Sequence, residues 1–335
     1  MFYLKKFLMY YIRGILRLNS RIKNLKMKKI GIFNYKSLSE NLENYTFQIY
    51  TGNNTYGILK TLENYSYYRG ISKVAIEHGF YTRDYVYFQE LEYKKLITFS
   101  QQRVEIISKY KKDIAVAIGP YIHYAQSYYN NLELEKIKKN LGRTLLVFPN
   151  HSVECLDIQR TSYLEKKIED IKKEFDTILI CLYYADIQKG LHKYYENRGY
   201  TIVCAGHRYD INFLSRLKSI ILLSDYTISN SFGTHVIYCT QLTKPHTIFE
   251  ERFQYNVNTK FSKTKIAEVA LKEVYWDDLI LREQKKMINK YYSVYPNKNG
   301  IEEIKKELNY MFGFNEIKSQ KEIYEILNFK GDKNN

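Results

Sequence analysis

The chain lacks most of the short motifs by which catalytic classes are recognised. It contains no GxxxxGK[ST] phosphate loop, no GxGxxG dinucleotide fingerprint and no GxSxG nucleophile elbow. P-loop kinases and ATPases, NAD enzymes that use this fingerprint, and serine hydrolases are therefore disfavoured. The chain also has no HExxH or DxD pair and no cluster of Cys and His at ligand spacing. We therefore expect neither a metal ion nor another cofactor.

Cysteines and long apolar runs are also scarce. The four cysteines are far apart and form no CxxC pair, so we expect free thiols in a reducing compartment: Cys155, Cys181, Cys204 and Cys239. No apolar run approaches the ~20 residues that a membrane-spanning helix needs. A signal peptide is not expected, because no continuous apolar region precedes a small-residue cleavage site. The 335 residues, 45% of them hydrophobic, are enough for two ordinary domains.

The net charge of +16 is concentrated at the start of the chain, where residues 1–29 hold nine Lys or Arg and no acidic residue. Apolar residues recur there at helical spacing: Leu4, Phe7, Leu8, Tyr11, Ile15, Leu18, Ile22 and Leu25. A basic amphipathic helix of this kind either lies on an anionic membrane surface or packs on the protein or a second subunit; we favour the membrane. A nucleic-acid partner is not expected, because the basic excess lies at one end and not over the folded body.

Along the rest of the chain, short apolar runs alternate with amphipathic stretches, the pattern of parallel sheets covered on both faces. We predict strands at 29–33, 46–50, 73–77, 96–99 and 114–118, and then at 144–148, 177–183, 201–204, 226–228 and 247–249. The clearest helices are predicted at 57–64, 101–111, 161–175, 187–198, 211–223 and 233–242.

Two such series of strands predict an α/β protein with two Rossmann-like domains that face each other across a cleft. Ligands bind such sheets beyond the carboxyl ends of the strands. The predicted division of the chain is a basic helix, two Rossmann-like domains and a set of C-terminal helices, at residues 1–27, 28–128, 129–275 and 276–335.

The segment Ser224–Glu251 has the densest group of polar residues at a predicted strand end. Hydroxyl groups and glycine at a helix start, where backbone N–H groups are unpaired and the dipole favours negative charge, are typical of a phosphate site. An ordinary helix N-cap uses the same residue types. The density of polar residues favours a phosphate site, with the candidate ligands Ser229, Asn230, Ser231, Gly233, Thr234 and His235.

Other polar loops follow other predicted strands. His151 and Ser152 come after 144–148, and Gly206, His207 and Arg208 come after 201–204. An arginine can pair with phosphate through two hydrogen bonds, and a histidine can neutralise or protonate a leaving group. Each loop alone is equally consistent with a simple turn, but loops on one sheet edge reinforce one another.

In the first half, Glu77-His78-Gly79 directly follows a predicted strand. Histidine is the side chain best suited to proton transfer near neutral pH, and a carboxylate is the next choice. His78 is therefore the candidate base, with Glu77 or Asp84 as alternatives. A turn-capping role for His78 is the competing interpretation.

With these residues assembled, the chain resembles GT-B-fold glycosyltransferases of bacterial surface-polysaccharide assembly. SDYTISNSFGTHVIYCTQLTKPHTIF resembles the C-terminal motif of capsule and sialyltransferase-like enzymes, which binds the phosphate of a nucleotide-activated donor. The segment is more distantly similar to the TDYSS…KP element of teichoic-acid CDP-glycerol glycerophosphotransferases. Glu77–Gly79 is similar to the HG of the first half of those phosphotransferases, where a His is the proposed acceptor base.

The resemblance implies a metal-independent, inverting glycosyltransferase that moves a sugar from a nucleotide-activated donor, with CMP-linked sugars as candidates, to a growing cell-surface glycan. The first half would bind the acceptor and the second half the donor, with His207 or His235 assisting the departing nucleotide. Asn230 stands where the phosphotransferase motif has an acid, and Phe232-Gly233 stands where it has a second Ser, which argues against polyol-phosphate transfer.

The expected partners are a nucleotide-sugar donor, a glycan or lipid-linked acceptor, and an anionic membrane contacted by residues 1–27. The expected location is the cytoplasm, peripheral to the inner face of the cell membrane. Two alternatives stay open: a CDP-polyol phosphotransferase of teichoic-acid type, and a non-catalytic protein of the same fold that binds a glycan or a lipid carrier.

Overall fold

The computed structural model describes residues 18, 22–44, 51–81, 84–152, 155–257 and 281–330. They form a mixed α/β protein with parallel sheets, in agreement with the sequence prediction. The strands are β1 (Ala75–Ile76), β2 (Leu96–Thr98), β3 (Ala115–Ala117), β4 (Thr144–Phe148), β5 (Leu156–Gln159), β6 (Thr177–Cys181), β7 (Thr201–Val203), β8 (Tyr226–Ser229), β9 (His246–Ile248) and β10 (Gln254–Val257).

Helices connect the strands and follow them. The α-helices are Tyr35–Leu38, Ile58–Ser66, Phe88–Leu91, Gln101–Ser108, Asn131–Leu141, Tyr163–Ile171, Tyr184–Gln188, Leu191–Glu196, Phe213–Leu223, Thr234–Gln241, Leu281–Tyr292, Ile301–Glu307, Asn309–Phe312 and Gln320–Leu327. Short 3₁₀ turns lie at Thr51–Gly57, Tyr121–His123 and Lys172–Glu174. Residues 22–27 are also helical.

Two parallel sheets carry the architecture. The first has the order β1-β2-β3, and the second has the order β7-β6-β4-β8-β9. Counted along the chain, the second order is third, second, first, fourth, fifth, which is that of a Rossmann sheet. Its strand order reverses between β4 and β8, and this is where sheets of this type bind their ligands. β5 and β10 form a separate antiparallel pair.

The central strand β4 shows why the sequence folds this way. Its residues TLLVF are all buried, because helices cover both faces of the sheet. Leu145 and Val147 join one apolar cluster, while Leu146 and Phe148 join another on the opposite face. The cluster containing Leu146 also includes Ile97 of the first sheet, so an apolar core runs from one sheet to the other. The arrangement as two domains across a cleft stays a prediction.

The C-terminal helices run from the second sheet back to the first. Leu281–Tyr292 packs near β9, whereas Asn309–Phe312 packs on Gln101–Ser108 and Gln320–Leu327 packs on Ile58–Ser66. The turn at Gly313 has φ +73° and lies so close to the first sheet that a side-chain carbon there would overlap the backbone oxygen of Phe99. The end of the chain therefore completes the core of the first half.

The start of the described chain packs on the second half. Met27 is buried with Leu145 and Val147 of β4. The predicted strand at 29–33 is wrong: residues 29–33 form turns and loop, the Arg216 guanidinium donates to the Met27 and Ile30 carbonyls, and the Cys204 N–H donates to the Ile32 carbonyl. The predicted strand at 46–50 and most of the predicted helix 1–27 lie outside the described residues. Within the described ranges, no helix has the length and apolar character to span a membrane.

Candidate functional site

A cavity of about 360 Å³ opens between loops of the two sheets. The first half contributes Tyr56 and the segment from His78 to Tyr81. The second half contributes loops that follow β4, β6, β7 and β8, together with one side of helix Phe213–Leu223. Because these loops leave the carboxyl ends of parallel strands, the cavity occupies the ligand position expected for such a sheet.

The cavity includes the point where the strand order reverses. A buried asparagine connects the two loops that meet at this point. The Asn230 Oδ1 accepts a hydrogen bond of 2.7 Å from the Asn150 N–H, so it joins the loops after β4 and β8. Its Nδ2 donates to Glu251 at 2.8 Å. Asn230 is buried behind the cavity and does not line it, so it positions the two loops.

The turn after β8 presents a helix start to the cavity. Ser231, Gly233, Thr234 and His235 line the wall, and helix Thr234–Gln241 begins there. The N-cap position is Gly233, which has extended backbone and provides no side-chain hydrogen bond to the helix. The first N–H groups of the helix thus lie at the cavity without a side-chain cap at this position, an arrangement that suits a bound anion.

The hydroxyls of this turn differ in what they contact. The Thr234 Oγ1 accepts a 3.0 Å hydrogen bond from the Phe80 N–H, so it joins the turn to the first half. The Ser229 hydroxyl is buried and lies 2.8 Å from the Ser231 carbonyl oxygen and 3.0 Å from the His246 Nε2. Ser229 therefore supports the turn from behind, while Thr234 and Ser231 reach the cavity.

His235 is held as a neutral ring in the wall. Its pKa is lowered from 6.5 to about 3, chiefly by burial and also by the neighbouring His151, while a hydrogen bond to the Ser231 backbone acts in the opposite direction. The ring stacks on Phe148 with centroids 4.9 Å apart. Its Nε2 is buried and has no hydrogen-bond partner within the part of the chain that the structure describes. At neutral pH His235 is therefore uncharged, and Nδ1 is the nitrogen that bonds to Ser231.

Behind this wall lies a second buried histidine, His246 of β9. The Thr227 hydroxyl donates to the Pro245 carbonyl at 2.8 Å, so its oxygen accepts from the His246 Nδ1 at 2.7 Å. Burial keeps the pKa of His246 well below its usual value, with a further lowering by His235. The His246 Nε2 lies 3.0 Å from the Ser229 hydroxyl, which donates to the Ser231 carbonyl at 2.8 Å.

In the first half, His78 is half-buried and lines the cavity. Its Nδ1 is 2.8 Å from the Tyr81 hydroxyl. Glu77, in contrast, is fully buried in an ion pair with Arg103. Asp84 is exposed and is not among the residues of the cavity wall. The structure thus places His78 at the cavity, and Glu77 and Asp84 away from it.

The predicted loop after β4 also has one residue at the cavity and one away from it. His151 is exposed at the cavity, with its ring 4.3 Å from that of Tyr183 and its Nδ1 3.1 Å from the Ser152 carbonyl. Ser152 is buried, and its hydroxyl accepts from the Ile158 N–H at 3.3 Å. His151 therefore lines the cavity, whereas Ser152 belongs to the loop interior.

Beyond Ala205, the loop after β7 stands behind the cavity wall. His207 is buried against Tyr184, with ring centroids 4.1 Å apart, and its Nδ1 accepts from the Tyr209 N–H at 3.2 Å. The Arg208 guanidinium lies over the Tyr209 ring, and the Arg208 backbone carbonyl accepts a 2.6 Å hydrogen bond from the Tyr56 N–H. Gly206, with φ +117°, forms the turn before them. None of Gly206, His207 and Arg208 lines the cavity.

Sequence reasoning missed several residues at the site. Tyr56 and Tyr183 come from opposite walls and bring their hydroxyls within 3.3 Å of each other. Tyr81 contacts His78, and His246 contacts Ser229. His246 follows a Lys-Pro pair at a strand start, which was a usable signal. With 35 tyrosines in the chain, those at the cavity could not be distinguished from the rest.

Across the described ranges, no group of three or more His, Cys, Asp and Glu side chains is arranged to hold a metal ion. The cavity histidines instead come from separate loops, and each has its Nδ1 engaged by a protein group. Independence from metal ions stays a prediction for this chain.

Comparisons with known proteins give only distant likenesses. No protein-family model and no curated protein matches the chain. Among solved structures, it is similar to the wall teichoic acid polymerase TagF at 16% identity and a TM-score of 0.33, over 71% of this chain and 60% of that chain. It is also similar to S. aureus MnaA in complex with UDP, at 11% identity and a TM-score of 0.33, over 78% of this chain and 79% of that chain. The chain thus spans less than two thirds of the TagF chain.

Proposed function

We propose that the chain is a metal-independent glycosyltransferase of GT-B type that uses a nucleotide-activated sugar. The observation that carries this proposal is the cavity at the strand-order reversal. It combines a helix start without a side-chain cap, at Gly233, with histidines from facing loops of both halves. The helix start suits the phosphate of a donor, and the histidines suit proton transfer to and from the reacting oxygens.

On the donor side, the phosphate would bind the first N–H groups of helix Thr234–Gln241 and the hydroxyls of Ser231 and Thr234. In the described part of the wall, the side chains that can carry positive charge are His78, His151 and His235. Histidines and a helix start supply less positive charge than a set of arginines and lysines. This supports a donor with one phosphate, such as a CMP-linked sugar, over one with a diphosphate.

On the acceptor side, His78 would take the proton of an acceptor hydroxyl as its oxygen bonds to the anomeric carbon. The bond from that carbon to the donor phosphate breaks in the same step, and the nucleotide leaves with the electron pair. Attack on the face of the anomeric carbon opposite the phosphate would invert the anomeric configuration. Holding both reactants in this order removes much of the entropic barrier.

The sequence pointed to His207 or His235 for assisting the leaving nucleotide, but His151 fits this role better. His207 is buried behind the wall, and charging the buried His235 is strongly unfavourable, as its pKa of about 3 reflects. His151, in contrast, is exposed at the cavity. We assign to His151 the stabilisation of the departing phosphate, and to His235 a neutral role in the wall.

Polyol-phosphate transfer from a CDP-linked donor is the second candidate. One of the two sequence arguments against it was Asn230 in place of an acid, but Asn230 lies behind the cavity and bonds to the loop after β4. The substitution therefore bears on loop bracing and not on ligand contact. His78-Gly79 at the cavity is compatible with this reaction as well.

The acceptor would be a growing cell-surface glycan, reached at the inner face of an anionic membrane through residues 1–27. Within the described residues, Leu18, Ile22 and Leu25 are exposed at helical spacing. Such an apolar stripe beside lysines suits the interface of an anionic bilayer. Binding of the full chain to anionic but not neutral vesicles would test this contact, and equal binding to both would contradict it.

A thermal-shift and turnover panel of CMP, CDP, UDP, GDP and their sugar or polyol conjugates tests the function. We expect stabilisation by cytidine nucleotides and transfer from a CMP-linked sugar. His78→Gln should lower turnover about 100-fold or more while the nucleotide still binds, and Ser231→Ala with Thr234→Ala should weaken nucleotide binding. Transfer only from a CDP-polyol would favour the second candidate, and no response to any nucleotide would refute both.

A further inference from the structure

A buried ion pair lies directly behind the candidate base. The Arg103 Nε and Nη2 donate to one oxygen of Glu77 at 2.8 and 2.6 Å, and the Thr98 hydroxyl donates to the other oxygen at 2.6 Å. Glu77 is fully buried and Arg103 almost so. Both carboxylate oxygens are thus engaged inside the first half, so Glu77 acts on the site only through what Arg103 contacts.

Arg103 connects this pair to the loop that follows His78. Its guanidinium lies over the Tyr81 ring, 5.5 Å from the centroid, and its Nη2 donates to the Tyr85 carbonyl at 3.0 Å. A guanidinium on an aromatic face is attractive, more so where water is excluded. The Arg103 guanidinium, itself fixed by Glu77, therefore holds the Tyr81 ring in place.

Tyr81 in turn contacts the imidazole. Its hydroxyl is 2.8 Å from the His78 Nδ1, and the two rings are nearly perpendicular at 89°. His78 lines the cavity, and a neutral ring with its proton on Nδ1 carries its lone pair on Nε2, the atom that would take a proton from an acceptor hydroxyl. The second ring nitrogen of a histidine sets the tautomer of the first, so the phenol also decides whether Nε2 carries a lone pair.

We propose that Tyr81 is a positioning residue for the reaction: it accepts a hydrogen bond from the His78 Nδ1–H, which leaves a lone pair on Nε2 for the acceptor proton. The buried pair of Glu77 and Arg103 serves the reaction by holding Tyr81. This inference rests on the proposed role of His78 as base. It assigns functions to three residues, only one of which touches the cavity.

Tyr81→Phe removes the hydroxyl and keeps the ring on Arg103. Without its acceptor, the imidazolium of His78 is less stable and the Nδ1–H tautomer loses its advantage. We expect kcat to fall about 10- to 100-fold, the donor KM to stay within about twofold, and the acid limb of the kcat/KM profile to move to lower pH. Tyr67→Phe, an exposed phenol elsewhere on the first half, is the matched control and should leave all three unchanged.

Nitrogen-15 spectra of labelled histidine provide a readout that does not need turnover. The signal of His78 is identified among the seven histidines by its loss in His78→Gln. In the wild type we expect an Nδ1–H tautomer, and in Tyr81→Phe a shift of population towards Nε2–H. A wild-type ring with its proton on Nε2, or spectra and acid limb that do not change in Tyr81→Phe, would overturn the inference.

The two proposals can fail separately. If no nucleotide-linked donor supports transfer but the His78 tautomer changes as expected, the proposed function fails and the positioning contact stands. If transfer occurs and Tyr81→Phe lowers kcat without moving the acid limb or the tautomer, the hydroxyl has only a structural role and the inference is wrong.

Discussion

At the scale of single residues, burial decides what each cavity histidine can do. His78, His151 and His235 all have Nδ1 engaged by a neighbouring protein group. His151 is exposed, whereas the His235 ring stacks on Phe148 and its Nε2 is sealed from water. The same side chain is therefore a candidate cation in one loop and a neutral wall element in the next.

The pH dependence of stability follows from His235. Its pKa is about 3 in the folded chain and 6.5 when unperturbed, so below pH 6.5 the unfolded chain binds a proton that the folded chain does not. Stability is thus fully present above pH 6.5, is lost as the pH falls, at about 1.4 kcal/mol per pH unit for one proton, and levels off near pH 3. We expect the loss between pH 7 and pH 5 to be about 2 kcal/mol smaller in His235→Gln.

Urea denaturation of the wild type and the variant at both pH values measures this difference. His151→Gln is the matched control, because it changes an exposed histidine of the same cavity. An equal pH dependence in wild type and His235→Gln would show that the ring is not held neutral in the folded chain.

At the scale of secondary-structure elements, one tight turn attaches the C-terminal helices to the first sheet. Gly313 follows helix Asn309–Phe312 with φ +73°, and the Phe99 backbone oxygen leaves no room for a side chain there. A left-handed conformation and a close backbone approach both require glycine. The turn fixes where the last helix meets Ile58–Ser66.

Gly313→Ala should therefore destabilise the protein by about 3 kcal/mol or more, because a strained dihedral and a steric overlap add. Gly199→Ala separates the two effects, since Gly199 has φ +78° but no atom within 4 Å of the added carbon. We expect only about 1 kcal/mol for Gly199→Ala in thermal or urea unfolding. Equal losses in both variants would mean that the turn relaxes away from Phe99.

The elements that the sequence predicted well are those that local pattern controls. The strands at 144–148 and 226–228 and the helices at 211–223 and 233–242 match the structure closely, because apolar runs and helical periodicity dictate them. The strand at 29–33 failed because long-range donors, Arg216 and Cys204, take its carbonyls. Likewise, the engagement of Glu77 depends on Arg103, 26 positions away, which no local pattern reveals.

At the scale of the whole molecule, one apolar cluster joins regions far apart in the chain. It contains Ile97 of the first sheet, Leu146 of the second, and Ile323 and Leu327 of the last helix, all buried. Because these side chains share one core, neither sheet can lose its packing without exposing apolar surface of the other. The molecule should unfold as a unit.

Ile323→Ala tests this at the end of the chain. We expect a loss of about 2–5 kcal/mol and a single transition that shifts as a whole when followed by far-ultraviolet and tyrosine near-ultraviolet circular dichroism. Tyr324→Ala, at an exposed neighbouring position, should change stability far less. Two separate transitions in the wild type would contradict a shared core.

The return of the last helix to the first half has a consequence during protein synthesis. The Ser72 hydroxyl bonds to the Leu327 carbonyl across 255 positions of sequence, and Ile58–Ser66 packs on the same helix. At typical ribosomal speeds, the nascent first half waits on the order of tens of seconds for this partner. We expect its apolar face to stay exposed for that time, so slowing translation of the codons for Gln320–Leu327 should increase dependence on chaperones.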